Sequence, residues 1–97
     1  MSETDLVKAC THFLTLKGIF HYRNNTGALK SGDRFIRFGA KGSPYIVAVR
    51  DGRYIGIECK APNGRQSPDQ KAFEQALTEA GGTYLIVHEV TDLTYIF

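Results

Sequence analysis

The stretch that decides the fold runs from Tyr45 to Lys60, YIVAVRDGRYIGIECK. Two runs rich in β-branched and aromatic side chains, 45–50 and 53–60, flank Asp51-Gly52. Asp-Gly between such runs is a strong hairpin signal, because both central residues of the tight turn need positive φ. A two-residue turn sets Arg50 opposite Arg53, Val47 opposite Gly56, and Tyr45 opposite Glu58. Strand alternation then gathers 45, 47, 49, 54, 56, 58 and 60 on one face. Ile46, Ala48, Ile55, Ile57 and Cys59 fall on the other face, an apolar set suited to a core. Glu58 and Lys60 are therefore neighbours at the end of an otherwise apolar strand, with position 45 about 5 Å away between Cβ atoms.

Outward from the hairpin, Ser67-Pro68-Asp69-Gln70 announces a helix: Ser67 suits the N-cap, Pro68 the first helical position, and Gln70 the capping box. Its apolar stripe reads Phe73, Ala76, Leu77 and Ala80, and Gly81-Gly82 ends it. Thr83 to His88 has the continuous apolar run of a strand covered on both faces. Residues 91–97 read equally as a short strand or a helical turn. On the other side of the hairpin, 3–17 carries Leu6, Ala9, Cys10, Phe13 and Leu14 at helical spacing, with Ser2 and Asp5 as a capping pair and Gly18 as the stop. Ile19–Arg23 reads as a strand. Asn24–Pro44 reads as loop, a short strand or ribbon around Arg34–Phe38, then loop. The order is αβββαβ, an α/β (α+β) class with a small mixed sheet flanked by helices, and Lys60 to Thr83 has the length of a βαβ crossover.

With 97 residues, 42% of them hydrophobic, the chain is expected to form one domain spanning 1–97. No apolar run approaches the roughly 18 residues that span a bilayer, and the N-terminus lacks a signal core, so the expectation is a cytoplasmic protein with no membrane partner. Cys10 and Cys59 make neither a disulfide framework nor a zinc spacing and read as buried reduced thiols. The net charge of +2 hides an asymmetry. Residues 20–65 carry nine basic side chains against Asp33, Asp51 and Glu58, whereas 66–97 set Lys71 against five acids. The middle of the chain is the candidate surface for a polyanion.

Glu58-Cys59-Lys60 has the parts for phosphoryl-transfer chemistry. The carboxylate would hold a hard divalent cation beside a second oxygen ligand. The cation would polarise the scissile phosphate and lower the pKa of an attacking water. The lysine would orient that water or offset charge growing on the phosphate. The bland alternative is a surface ion pair at a strand end, worth under about 1 kcal/mol.

Gly42-Ser43-Pro44-Tyr45-Ile46, then Glu58-Cys59-Lys60, then Ser67-Pro68-Asp69-Gln70 before a helix ending in Gly81-Gly82, together resemble the virus-type replication-repair nuclease (VRR-Nuc) domain. That family is a branch of the PD-(D/E)xK nucleases, and the resemblance covers essentially the whole chain. It implies a restriction-endonuclease-like core and a Mg²⁺-dependent endodeoxyribonuclease, with Mn²⁺ as substitute, leaving 3′-hydroxyl and 5′-phosphate ends. Stand-alone domains of the family are associated with phage genomes and, as dimers, with four-way DNA junctions, which implies a homodimer acting on branched DNA. Carried over, Glu58 is a metal ligand that the Cys59 carbonyl can join, and Lys60 is the catalytic lysine. Gln70 is an active-site support, although the capping box alone explains it, and Glu3 is a further site carboxylate.

Position 45 departs from the family, which places a metal-binding aspartate there. A neutral phenol with a pKa of about 10 is a poor Mg²⁺ ligand, and the Tyr45 ring occupies space the cation needs. Cleavage by the chain as written is therefore expected to be impaired. Lys30, Arg34, Arg37, Lys41 and Arg65 are candidate contacts to the DNA backbone; Arg34 and Arg37 cannot point the same way in a regular strand. Two other readings remain open at this point. One is a non-catalytic, structure-selective DNA-binding module with the same fold, and the other an interaction domain pairing through a sheet edge.

Overall fold

Asp51 and Gly52 both take positive φ, 53° and 76°, and the hairpin closes around them as a two-residue turn. The computed structural model describes residues 2–97, with Ala28 described by its backbone alone. Strand β4 (Ile46–Arg50) pairs antiparallel with β5 (Arg53–Cys59) in the register the turn dictates: Arg50 opposite Arg53, Val47 opposite Gly56, Ile46 opposite Ile57. Tyr45 lies one residue outside the ladder, in a bend.

The elements in chain order are α1 (Glu3–Leu16), β1 (Phe20–Arg23), β2 (Gly27–Ser31), β3 (Arg34–Phe38), β4, β5, α2 (Pro68–Glu79), β6 (Thr83–Val87) and a 3-10 helix, Val90–Tyr95. Four strands form one mixed sheet in the order β1-β4-β5-β6, with β1 antiparallel to β4 and β6 parallel to β5. The parallel step is the crossover that carries α2. Helices flank the sheet, so the class is mixed α/β.

Which side chains meet the helices follows from alternation. Ile46, Ala48, Ile55, Ile57 and Cys59 join Val87 on one face, where Leu6, Val7, Cys10 and Leu14 of α1 and Leu93 of the 3-10 helix complete the core. The opposite face carries Val47, Glu58 and Tyr84, and Phe73 of α2 packs against Tyr84 with ring centroids 6.2 Å apart. Ser2 caps α1 by accepting from the Asp5 amide, and Gly18 follows its end with positive φ. At α2, Ser67 and Gln70 close a full capping box.

Three expectations change, and one open alternative resolves. Asn24–Pro44 holds two strands, because Gly27–Ser31 pairs with Arg34–Phe38 in a separate two-stranded ribbon. The α2 stripe is narrower than its sequence suggests: Phe73 and Leu77 are half-buried, but Ala76 and Ala80 are exposed. Strand β6 is an edge, and Ile86 on it is 36% exposed, so it is not covered on both faces. The C-terminal segment resolves to the helical alternative. No helix among the described residues is long and apolar enough to cross a membrane.

Candidate active site

Glu58 is 1% exposed, among the most buried side chains in the molecule. Tyr84 Oη donates to its Oε2 across 3.4 Å, a long and weak bond. Its Oε1 is buried with no hydrogen-bond partner among the described residues. A buried carboxylate in this state resists ionisation, and burial pushes Glu58 up to about 7. Lys60 and the Tyr84 hydroxyl pull in the other direction, while Glu3 adds like-charge repulsion. Burial wins.

The surface ion-pair reading of Glu58 and Lys60 is thereby corrected. Lys60 is half-buried and acts on Glu58 through its charge, but the ion pair seen among the described residues joins Lys41 to Asp69, at 3.5 Å. The Lys60 amide donates to the Val87 carbonyl at 3.0 Å, which fixes the backbone where β5 ends beside β6.

Glu3 stands at the first residue of α1, with Tyr45 and Arg23 beside it. Glu3, Thr4, Val7, Arg23 and Tyr45 line a small cavity of about 110 Å³. Burial raises the Tyr45 phenol, and the charges of Glu58 and Glu3 raise it further, so it stays neutral through physiological pH. Those charges place the two carboxylates and the phenol within electrostatic reach of one another, joining the start of α1, the bend before β4 and the end of β5. Among the described residues no group of three His, Cys, Asp or Glu side chains converges. Glu58, with one oxygen bare, and Glu3 are the oxygen donors present. Mg²⁺ is ordinarily held by one or two carboxylates with waters and substrate phosphates, so Glu58 and Glu3 are the residues that would hold such a cation here.

The loop before Tyr45 is held from both sides. Ser43 Oγ donates to the Ala40 carbonyl at 2.6 Å and accepts from Asn24 Nδ2 at 2.8 Å. Gly42, at φ 80°, lies so close to the Asp69 carbonyl that a Cβ there would collide with the start of α2. Gln70 sits on that first turn, where its Oε1 accepts from the Ser67 amide at 2.9 Å. Its oxygen is thus committed to the capping box, and the structural reading of Gln70 holds for that atom.

The predicted DNA contacts divide. Lys30 lies on β2 and Arg34 and Arg37 on β3, all exposed on the ribbon; the register puts Arg34 opposite Ser31 and Arg37 opposite Ala28, on opposite faces. Lys41 is engaged with Asp69. Arg65 is exposed in the β5–α2 connection. Two contributors escaped the sequence reading. Arg23 shares the Glu3–Tyr45 cavity because β1 pairs with β4, which no local signal announces. Tyr84 hydrogen-bonds Glu58, because the parallel register brings it opposite Gly56 on the Glu58 face. A larger concavity of about 630 Å³, lined by Arg50, Asp51, Arg53, Ile55 and Leu85 among others, lies at the opposite end of the hairpin, away from Glu58 and Tyr45.

Cys10 and Cys59 are buried free thiols with sulfurs 4.0 Å apart, on the core side of the residue after Glu58. No protein-family model matches the sequence, and no curated protein matches it significantly.

Proposed function

We propose that this chain is a metal-dependent endodeoxyribonuclease domain of the VRR-Nuc type, impaired as it stands by Tyr45. The observation that carries the reading is the bare, buried Oε1 of Glu58, with Glu3 near enough for its charge to oppose ionisation of the same carboxyl and Lys60 two residues on. Proteins seldom bury a carboxylate oxygen without a partner, and a site that will receive a cation is one of the few physical reasons to do so.

In this reading Glu58 and Glu3 would hold Mg²⁺, or Mn²⁺ in its place, and the Cys59 carbonyl could join them as a further oxygen donor. The bound cation would polarise the scissile phosphate and supply a water of lowered pKa. Lys60 orients that water and offsets the charge that grows on the phosphate. Tyr84 keeps the Glu58 carboxyl in one orientation. Gln70 holds the first turn of α2 against the Gly42 loop and so positions Tyr45 indirectly. Arg23 offsets negative charge beside Glu3. Lys30, Arg34, Arg37 and Arg65 engage the DNA backbone. Pairing of two copies would enlarge the small surface that one chain offers to branched DNA.

A second reading is a DNA-binding module without catalysis. Tyr45 favours it, since a phenol occupies the place of a metal-binding carboxylate. The test is Mg²⁺- or Mn²⁺-dependent cleavage of duplex, single-stranded and four-way-junction DNA by the parent and by Glu58→Gln. Cleavage in the parent that Glu58→Gln abolishes supports the nuclease. Binding that weakens steeply with salt but never leads to cleavage supports the module. Neither cleavage nor salt-dependent binding rejects both.

A further inference from the structure

The ribbon formed by β2 and β3 is chemically two-sided. Cross-strand pairs share a face, so Lys30 and Phe35 lie side by side, and Arg37 follows Phe35 on the same face two residues along. The other face carries Leu29, Ile36 and Phe38, with Arg34 and Ser31 at the turn end. Phe35 is 74% exposed, and every residue of β3 is exposed. The strands of the ribbon pair only with each other and with no strand of the main sheet. A two-stranded ribbon standing alone is marginal in water, and a phenylalanine left open on it contributes nothing to the core.

We propose that Phe35 is a base-stacking residue: the face made by Lys30, Phe35 and Arg37 receives an unpaired nucleotide of distorted or branched DNA. This deepens the DNA-directed function proposed above and rests on it. Lys30 is the cross-strand neighbour of Phe35, about 5 Å away between Cβ atoms, and Arg37 lies about 7 Å along the same face, so two basic side chains share the face with the ring. That pattern, an aromatic plane between point charges, suits a stacked base with the phosphates before and after it. Charge selects the partner. The ribbon and its turn carry Lys30, Arg34 and Arg37 against Asp33, a net positive arm that suits a polyanion better than an apolar surface. A fully paired duplex offers Phe35 no open base face, so the residue supplies selectivity for unstacked positions rather than general affinity.

The test uses the full chain with forked and fully paired DNA of equal length, the fork carrying 2-aminopurine at its first unpaired position. Parent, Phe35→Ala, Phe35→Tyr and Lys30→Ala are compared in the absence of divalent metal, with far-UV circular dichroism confirming the fold. Phe35→Ala is expected to lose about tenfold in affinity for the fork while duplex binding stays within about twofold, and the quenching of 2-aminopurine is lost. Phe35→Tyr restores both. Lys30→Ala weakens fork and duplex alike and lowers the salt slope by about one. If the parent binds DNA with a steep salt slope but Phe35→Ala leaves the fork-to-duplex ratio unchanged, the stacking role is overturned and the DNA reading survives. If Phe35→Ala instead converts a dimer to a monomer without changing that ratio, the ribbon is a self-association arm and the stacking role is likewise overturned. A parent that binds no DNA removes both proposals.

Discussion

Tyr84 Oη reaches Glu58 Oε2 across 3.4 Å, and among the described residues nothing reaches the other oxygen of the same carboxylate. One long hydrogen bond does not repay the desolvation of a carboxylate, so Glu58 keeps its proton to about pH 7.

The pH dependence of stability follows, with its sign. The unfolded chain releases the Glu58 proton near 4.5 and the folded chain near 7, so between those values the folded state binds more protons. Stability contributed by this group therefore falls as pH rises from about 4.5 to about 7 and is level above. The amplitude is on the order of 3 kcal/mol. Urea unfolding in EDTA should show this slope in the parent and lose it in Glu58→Gln, which should be the more stable of the two at pH 8. An unchanged slope in Glu58→Gln would place the titration elsewhere.

Tyr84→Phe removes the donor that favours the charged carboxylate. The midpoint of the Glu58 titration, followed by carboxyl-carbon NMR on labelled protein, should move to higher pH. A downward shift would mean that the hydroxyl does not hold Glu58 in solution.

Gly42→Ala tests whether the loop before Tyr45 is pinned to α2. The residue has φ 80°, and a Cβ there would meet the Asp69 carbonyl, so both strain and collision oppose the change. The expected loss is roughly 2 kcal/mol or more in chemical denaturation. A neutral substitution would show that the loop can leave α2 freely.

The capping box yields a contrast. Ser67→Ala should cost about 1 kcal/mol, while Gln70→Glu should be tolerated, because a glutamate oxygen can accept from the Ser67 amide as the glutamine does. If Gln70→Glu unfolds as easily as Ser67→Ala, the side chain does more than cap.

The hairpin was legible because Asp51-Gly52 admits few turns, and a two-residue turn fixes every partner along both strands. That register also put Glu58 and position 45 at one end of the sheet. Strand β2 was not legible: Gly27-Ala28-Leu29-Lys30-Ser31 lacks β-branched side chains and gains its conformation only from pairing with Arg34–Phe38. Ala76 and Ala80 fitted a helical stripe, yet α2 meets an edge strand and buries only a narrow part of its surface. At the site, Glu58 and Lys60 were readable from their place on β5. The depth of Glu58 was not, because residues distant in the chain come to its face of the sheet: Tyr84 of β6 reaches its carboxyl, and Pro44 lies against Gly56 two residues before it. Arg23 was hidden for the same reason, since pairing of β1 with β4 leaves no local trace.

The most direct measurement is cleavage of four-way-junction and duplex DNA by the parent and by Tyr45→Asp, side by side, in Mg²⁺ and then Mn²⁺. The aspartate would add a third carboxylate beside Glu58 and Glu3, where the phenol now stands. Tyr45→Asp is expected to cleave about tenfold faster than the parent or more, and to show a larger Mg²⁺-dependent rise in Tm than the parent does. Equal cleavage by both proteins, with equal response to metal, would contradict it, because the cation would then be held somewhere that position 45 does not reach.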